Sequence, residues 1–458
     1  MASEWQEEKF EFLLSDPIRN GIYKKKEFHG RGAKIVNMGE LFAHPRLYDI
    51  EMKRVEITDK EKSKVLLQAG DLIFARRSLT AEGAGKCSII KKVCEDTTFE
   101  SSIIRARPNT LKADSDFLYY MFNSPHGKYL LGTIQRQVAV AGITGTDLAR
   151  LQLSVPPITE QRAIAHILGS LDDKIDLNRR MNKTLEAMAQ ALFKSWFIDF
   201  DPIIDNALAA DNPIPEGLQP RAALRESLGD ARKPPPDDIR DLFPSEFEFT
   251  EEMGWIPMGW RVGPLSEFAV LNPESWTAKN SPKYVQYVDL ANTKNGRINL
   301  IVPCKFSEAP SRARRVLRQD DTIIGTVRPG NRSFAYVHEE GLTGSTGFAV
   351  MRPKKKRLRS FVYLCLTRNE VIDHFAHLSD GAAYPAIRPE VVANFKFVLP
   401  KEDLLNGFDS LVYPWVTGIG ERESQINSLS MLRDTLLPKL LSGEFRIPDA
   451  EKMVEDII

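Results

Sequence analysis

Three short clusters have residue types that could carry chemistry, and each falls short of it. Gly83-Ala84-Gly85-Lys86-Cys87 resembles the tail of a phosphate-cradling loop. That loop needs a glycine where Thr80 stands and a hydroxyl for magnesium where Cys87 stands. A tight turn explains the glycines better. Leu271-Asn272-Pro273-Glu274 begins like an Asn-Pro-Pro-aromatic motif for methyl transfer to an amino group. It lacks the second proline and the aromatic, and no glycine-rich cofactor loop precedes it. His374 and His377, at i and i+3, could reach one metal from a helix, but no cysteine or paired histidine completes the set. There is no nucleophile elbow and no His-Glu-x-x-His. The pattern is that of a binder.

Binding chemistry is better represented. Lys24, Lys25, Lys26 and Arg31 lie in a basic segment around Phe28, and Arg76 and Arg77 directly follow the strand-like run Asp71–Ala75. Arg312, Arg314 and Arg315 form a second basic run; Arg328, Asn331 and Arg332 form a third, after the strand-like run Asp321–Gly325. Arginine can grip guanine bidentately and asparagine can grip adenine, while lysine and arginine also hold phosphates without reading sequence. For any one of these charges a solvated surface is the commoner role. An arginine placed after the same strand twice favours Arg76, Arg77, Arg328 and Arg332 as contacts. Tyr119, Tyr120, Phe361 and Tyr363 fall on apolar helical spacing and read as core.

The elements that position these residues occur twice. Asp116-Phe117-Leu118-Tyr119 matches Ser360-Phe361-Val362-Tyr363, Val155-Pro156 matches Leu399-Pro400, and Leu192 matches Leu436, each at an offset of 244 (436 − 192). The runs at Asp71 and Asp321 are 250 apart (321 − 71), which leaves the length difference in loops. Each copy begins with short β-like runs broken by Gly, Pro and Asn, over 1–155 and 254–400. Each continues into one long helix, 156–200 and 401–445. The first has an a/d seam of Ile164, Leu168, Leu171, Ile175, Asn178, Asn182, Leu185 and Leu192; the second has Val412, Trp415, Ile419, Ile426, Leu429 and Leu436. Two asparagines in a seam should set its register. Pro414, Gly418 and Gly420 predict a kink or a late start in the second helix. The fold class expected is α+β: two β-rich domains related by a pseudo-twofold repeat, separated by two long helices packed as an antiparallel coiled coil. Residues 201–253, rich in Pro, Asp, Ala and Glu, read as an extended connector, and 446–458 as a short tail.

Composition sets outer bounds. The 458 residues are 42% hydrophobic and 27% charged, ordinary for a folded soluble chain, and the formal net charge is zero, which argues against a nonspecific polycation. Basic charge still gathers in Arg312–Arg318 and Lys354–Arg359, and acid in Asp237–Glu252. No apolar run nears the ~20 residues of a membrane span. The acidic start is not a signal peptide, and four cysteines without CxxC pairing fit a reducing cytoplasm. No membrane partner is expected.

Longer motifs then resemble a known family. Leu153-Ser154-Val155-Pro156-Pro157-Ile158-Thr159-Glu160-Gln161-Arg162, Leu171-Asp172-Asp173-Lys174-Ile175, Leu185 to Phe197, and Leu432-Arg433-Asp434-Thr435-Leu436-Leu437-Pro438-Lys439-Leu440-Leu441-Ser442-Gly443-Glu444 are similar to specificity subunits of type I restriction-modification systems. The order of segments along the whole chain fits too. The resemblance implies two target recognition domains, each reading half of a split site in double-stranded DNA. It implies helices that fix the spacer and dock two methyltransferase subunits. S-adenosylmethionine, ATP and Mg would sit on those and on motor-nuclease subunits, with no cofactor or catalysis here. A coiled coil of roughly 50 Å would separate the half-sites by one to one and a half DNA turns of ~34 Å. The alternatives are a specificity subunit of a fused methyltransferase-nuclease (type IIB-like) system, and a standalone DNA-binding or coiled-coil regulator.

Overall fold

The computed structural model describes residues 5–137, 141–379 and 385–455. The chain divides into two compact units, 1–178 with 425–458, and 179–424.

In the first unit the opening strand Gln6–Lys9 pairs antiparallel with Gln152–Val155, Gln6 opposite Val155. The domain therefore closes its own ends. Phe10 then donates its N–H to Leu151 O (2.9 Å) and is fully buried. At the centre, Leu72–Ala75 runs antiparallel to both Cys87–Ile90 and Ile103–Ala106. All four of its side chains are buried, as an apolar run without alternation requires when both faces of a strand are covered. A second sheet joins Arg54–Val55, His29–Val36 and Thr97–Phe99, the last pair parallel.

The second unit repeats this in register. Arg261–Pro264 pairs with Lys396–Leu399, Arg261 opposite Leu399, and Leu265 donates to Phe395 O (3.0 Å). Thr322–Gly325 runs between Phe334–Tyr336 and Phe348–Pro353, and Tyr284–Val288 pairs in parallel with Leu342–Ser345. A buried ion pair recurs as well. Asp71 takes Arg107 Nε (2.7 Å) and the Gln68 N–H (2.8 Å), and Arg107 also donates to Leu66 O. Asp321 takes Arg352 Nε (2.8 Å) and the Arg318 N–H (2.8 Å), and Arg352 donates to Val316 O. Each fully buried carboxylate thus has its acceptors filled, the condition for tolerating a charge inside a fold.

The long helices are Ile158–Phe197 and Glu402–Leu441. In the first unit Asp172 meets Arg433 and Asn178 meets Gln425, so the helix segments run antiparallel there. In the second unit Asn182 meets Ile419 and Glu423, while Phe193, Trp196 and Phe197 pack on Phe408 with ring centroids 4.9–6.0 Å apart, again antiparallel.

Several expectations need correcting. The second helix neither starts late nor breaks at Pro414, Gly418 or Gly420; it runs unbroken from Glu402. Buried Val412 and Val416 on either side of the proline anchor it, and packing of this kind overrides propensity. The apolar seam also drifts. Leu185, Leu192, Trp415 and Ile419 are only partly buried, whereas Ala189, Phe193, Trp196, Phe197 and Val416 are buried. There the helices serve the second domain's aromatic core as well as each other, so a two-helix heptad no longer describes them.

The stretch 201–253 is not an extended connector. It holds the helices Asp201–Ala209 and Gln219–Ser227, with Ile203, Ile204 and Ala207 buried, and Arg221 and Arg225 hydrogen-bonded to Asp201 and Asp205. Its apolar positions keep helical spacing inside an acidic, proline-rich composition that hides them. The tail likewise contains the helix Ile447–Glu455, held by buried Ala450 and Val454 at i and i+4.

Candidate nucleic-acid interface

In the first domain Lys25 and Lys26 are exposed on a turn that leads into the strand His29–Val36. Gly30 and Gly32 adopt positive φ of 103° and 90° there, which lets the strand bulge against Val55. Lys24 is held by Glu61 (2.8 Å) and lies 5.4 Å from the Phe28 ring centre. Its position holds Glu61's carboxyl at about 2, with the Thr58 cap assisting. Arg31 is exposed and paired with Glu56 (2.5 Å). Arg76 donates to Ser101 O (3.2 Å) and lines a cleft of ≈760 Å³ with Asp16, Asn20, Thr144 and Thr146. Arg77 is exposed on a short strand paired with Ala141–Gly142.

The second domain departs from expectation at this turn. Arg76 O accepts from Ile143 N, and Thr326 O accepts from Ile387 N; Arg77 pairs with Gly142, and Val327 bridges Ala386. The structural counterparts of Arg76 and Arg77 are therefore Thr326 and Val327. Arg328 corresponds to Ser78, so the idea of an arginine at the same place in both copies is corrected.

Arg328 stands in a different and tighter setting. It and Arg332, with φ of 48° and 58°, flank the turn Pro329–Asn331. A side chain in this left-handed region costs about 1–3 kcal/mol, and such strain concentrates at functional turns. Arg328 and Asn331 are exposed, while Arg332 is tied to Asn369 (2.5 Å) and Asp373 (2.9 Å). Arg332 therefore buttresses the turn that presents the other two. Just before the strand Ala313–Val316, Arg312 Nε donates to Tyr287 Oη (3.0 Å), and on the strand Arg314 lies 4.6 Å from the Phe306 ring centre. Arg315 is partly buried, its Nε without a partner, and burial lowers its pKa.

The Gly83–Cys87 segment links the 3-10 turn Ala81–Gly83 to the strand Cys87–Ile90, with Cys87 buried and Lys86 Nζ donating to Phe42 O. His374 and His377 lie on the helix Asn369–Ser379, and no metal-binding group of three or more His, Cys, Asp or Glu occurs among the described residues.

The sequence did not reveal the contacts that tie the first domain to its helices. Tyr120 Oη donates to Asp172 Oδ2 (2.7 Å), whose Oδ1 takes Arg433 Nη1 (2.7 Å). Burial and then Asp172 push Tyr120's phenol far above its usual range, so it remains a donor. Arg46 reaches Asp173 (2.5 Å) and Asp176 (3.4 Å). Gln161, fully buried at the helix start, accepts from the Asp114 N–H and donates to Pro156 O. Partners this far apart in sequence leave no local signal.

With this geometry in place, comparison with known proteins shows what the chain is similar to. Residues 11–187 match the type I restriction modification DNA specificity domain. The chain is similar to the HindI specificity subunit of Haemophilus influenzae, 23% identical over 96% of this chain and 100% of the relative. It is also similar to the MjaIX specificity subunit of Methanocaldococcus jannaschii, 25% identical over 73% of this chain and 70% of that one. A solved type I S subunit from M. genitalium shares the fold, with a TM-score of 0.53 at 13% identity over 96% of both chains. The chain is thus similar along most of its length to specificity subunits of type I restriction-modification systems, and it shares their fold. No helix among the described residues is long and apolar enough to cross a membrane.

Proposed function

We propose that the chain is the DNA-reading subunit of a type I restriction-modification complex and is not itself catalytic. Each β-rich domain reads one half of a bipartite site in double-stranded DNA, and the helix pair sets the spacer and docks two methyltransferase subunits. Those partners carry S-adenosylmethionine; motor-nuclease subunits carry ATP and Mg. The complex works in the cytoplasm. The supporting observation is the recurrence of one strand register in two domains, each exposing basic side chains on turns at the end of its central strand.

Among the candidates, Arg77, Arg328 and Asn331 are exposed on short, constrained turns and suit base contact. Lys25 and Lys26 suit phosphates. Lys24, Arg31 and Arg332 are already engaged by carboxylates, which fits a positioning role. The test is adenine methylation mapped across the genome with and without this gene. Loss of one split motif, two short half-sites around a fixed unread gap, is the expected result. An unchanged methylation pattern would contradict the proposal.

A further inference from the structure

Asn182 is 2% exposed and sits in the helix seam of the second unit. Its Nδ2 donates to Ile419 O (3.3 Å) and Glu423 Oε1 (3.2 Å). Both partners are acceptors, so the amide cannot be flipped without losing both bonds. Its Oδ1 is therefore fixed on the other side, buried, with no hydrogen-bond donor from the protein. A buried amide oxygen left this way costs about 1–3 kcal/mol.

A small chamber opens beside it. Glu186, Gly296, Arg297, Tyr363 and His338 contribute to its lining, and its free volume is ≈20 Å³. One water needs roughly 10–15 Å³ and two to four polar partners. Two donors on the wall are engaged elsewhere: Tyr336 Oη donates to Asp320 Oδ1 (2.7 Å), and Arg297 Nε pairs with Glu423 Oε1 (3.2 Å). The Arg297–Glu423 pair already places a cation there, which disfavours a bound metal ion. Two glycines let the domain close over the chamber. Gly296, at φ +84°, brings its backbone so near that a Cβ would lie 3.2 Å from Tyr363 Oη and 3.6 Å from Glu186 Oε1. At Gly420 a Cβ would overlap the His338 ring.

We propose that this chamber is a hydration site, in which one ordered water donates a hydrogen bond to Asn182 Oδ1 and bridges it to the Glu186 carboxylate. The water completes the bonding of a seam asparagine and seats the Gly296 and His338 loops of the second domain on the helix pair. In this alignment all of Asn182's hydrogen-bonding groups are met. A one-heptad slip toward Val412 and Val416 would strand them among apolar side chains, so the hydrated chamber also disfavours that register.

The test is a crystal structure of the full chain at a resolution that shows ordered water. A single peak within hydrogen-bond distance of Asn182 Oδ1 and of Glu186 is expected. Clear density with no peak there overturns the proposal, and so does a peak whose short contacts or anomalous signal mark a metal ion. In solution, water-to-amide cross-relaxation at a selectively labelled Asn182 side chain should reveal a long-lived water. Its absence, with other buried waters visible in the same sample, would also overturn the assignment.

Discussion

If the helix pair sets the spacer, as proposed, that spacer can be lengthened by a known amount. Four helix-forming residues inserted between Asn178 and Arg179, with four more between Ser424 and Gln425, leave the Asn178–Gln425 and Asn182–Glu423 pairs intact. They also leave the anchors of the first domain, Asp172, Asp173 and Arg433, and those of the second, Phe193, Phe197 and Phe408, on their own sides of the insertion. Each residue adds ~1.5 Å, so the anchors move apart by ~6 Å and rotate by ~40°. Six ångströms is just under two base pairs at ~3.4 Å each. Two base pairs turn B-DNA by ~70°, so a mismatch of ~30° must be absorbed by the DNA or by the domains. The expected recognition site keeps both half-sequences and gains one or two unread base pairs. Methylation mapping in cells carrying the variant reads both features directly. A spacer of unchanged length, or altered half-sequences, would refute the idea that the helices act as a ruler.

Other predictions address stability and contact chemistry. Asp172→Ala removes the acceptor of both Tyr120 and Arg433 and should cost about 3–5 kcal/mol in urea unfolding; Asp172→Asn should cost less, because an amide oxygen still accepts one bond. Burial lowers His338 from 6.5 to about 4, so its contribution is present above pH 6.5 and is lost as pH falls through 4; a His338→Asn variant should flatten the stability–pH curve in that window. Hydrogen bonds from Arg318 and Arg352 hold the Glu274 carboxyl at about 2 against an ordinary 4.5, so its contribution is present above pH 4.5 and fades toward 2, a fall that Glu274→Gln should abolish. On DNA, Lys25→Ala and Lys26→Ala should each weaken binding to all sequences and reduce the salt-dependence slope by about one. Arg328→Ala should instead relax preference at one base, a loss of about 1–3 kcal/mol seen in competition between site variants.

How legible each feature was follows from how local its cause is. The repeat, the two long helices and the buried central strands at Leu72 and Thr322 are written in periodicity and apolar runs, which survive in any one sequence. Asn178 and Asn182 stood out because a polar residue interrupts a regular seam. Elsewhere composition misled. Ile203, Ile204 and Ala207 hold a packed helix inside an acidic, proline-rich stretch, and Pro414 lies within an unbroken one, because the deciding contacts come from residues far along the chain. The domain-to-helix ties at Arg46, Tyr120 and Arg433 have the same character. For the interface, sequence could find the charges but could not tell which were already paired. Arg332 and Arg31 look as free as Arg328 until Asp373 and Glu56 are seen beside them.

The corrected equivalence at the turn after each central strand bears on why a chain would carry two copies of one domain. If identical side chains stood at equivalent places, the two half-sites would have to be the same sequence, and one domain used twice as a homodimer would suffice. Here the shared backbone hydrogen bonds present Arg76 and Arg77 in one copy and Thr326 and Val327 in the other. An arginine pair can grip guanine or phosphate, whereas Thr326 is buried with its hydroxyl donating to Gly347 O (2.8 Å), which leaves the half-exposed Val327 as an apolar surface suited to a thymine methyl. The second copy sets its cation one residue beyond that pair, on a strained turn buttressed by Asp373. The shared register therefore holds two different chemistries at equivalent backbone positions, and on the proposed function this requires an asymmetric site. Exchanging residues 76–78 with 326–328 should alter the bases preferred in both half-sites while leaving the spacer unchanged.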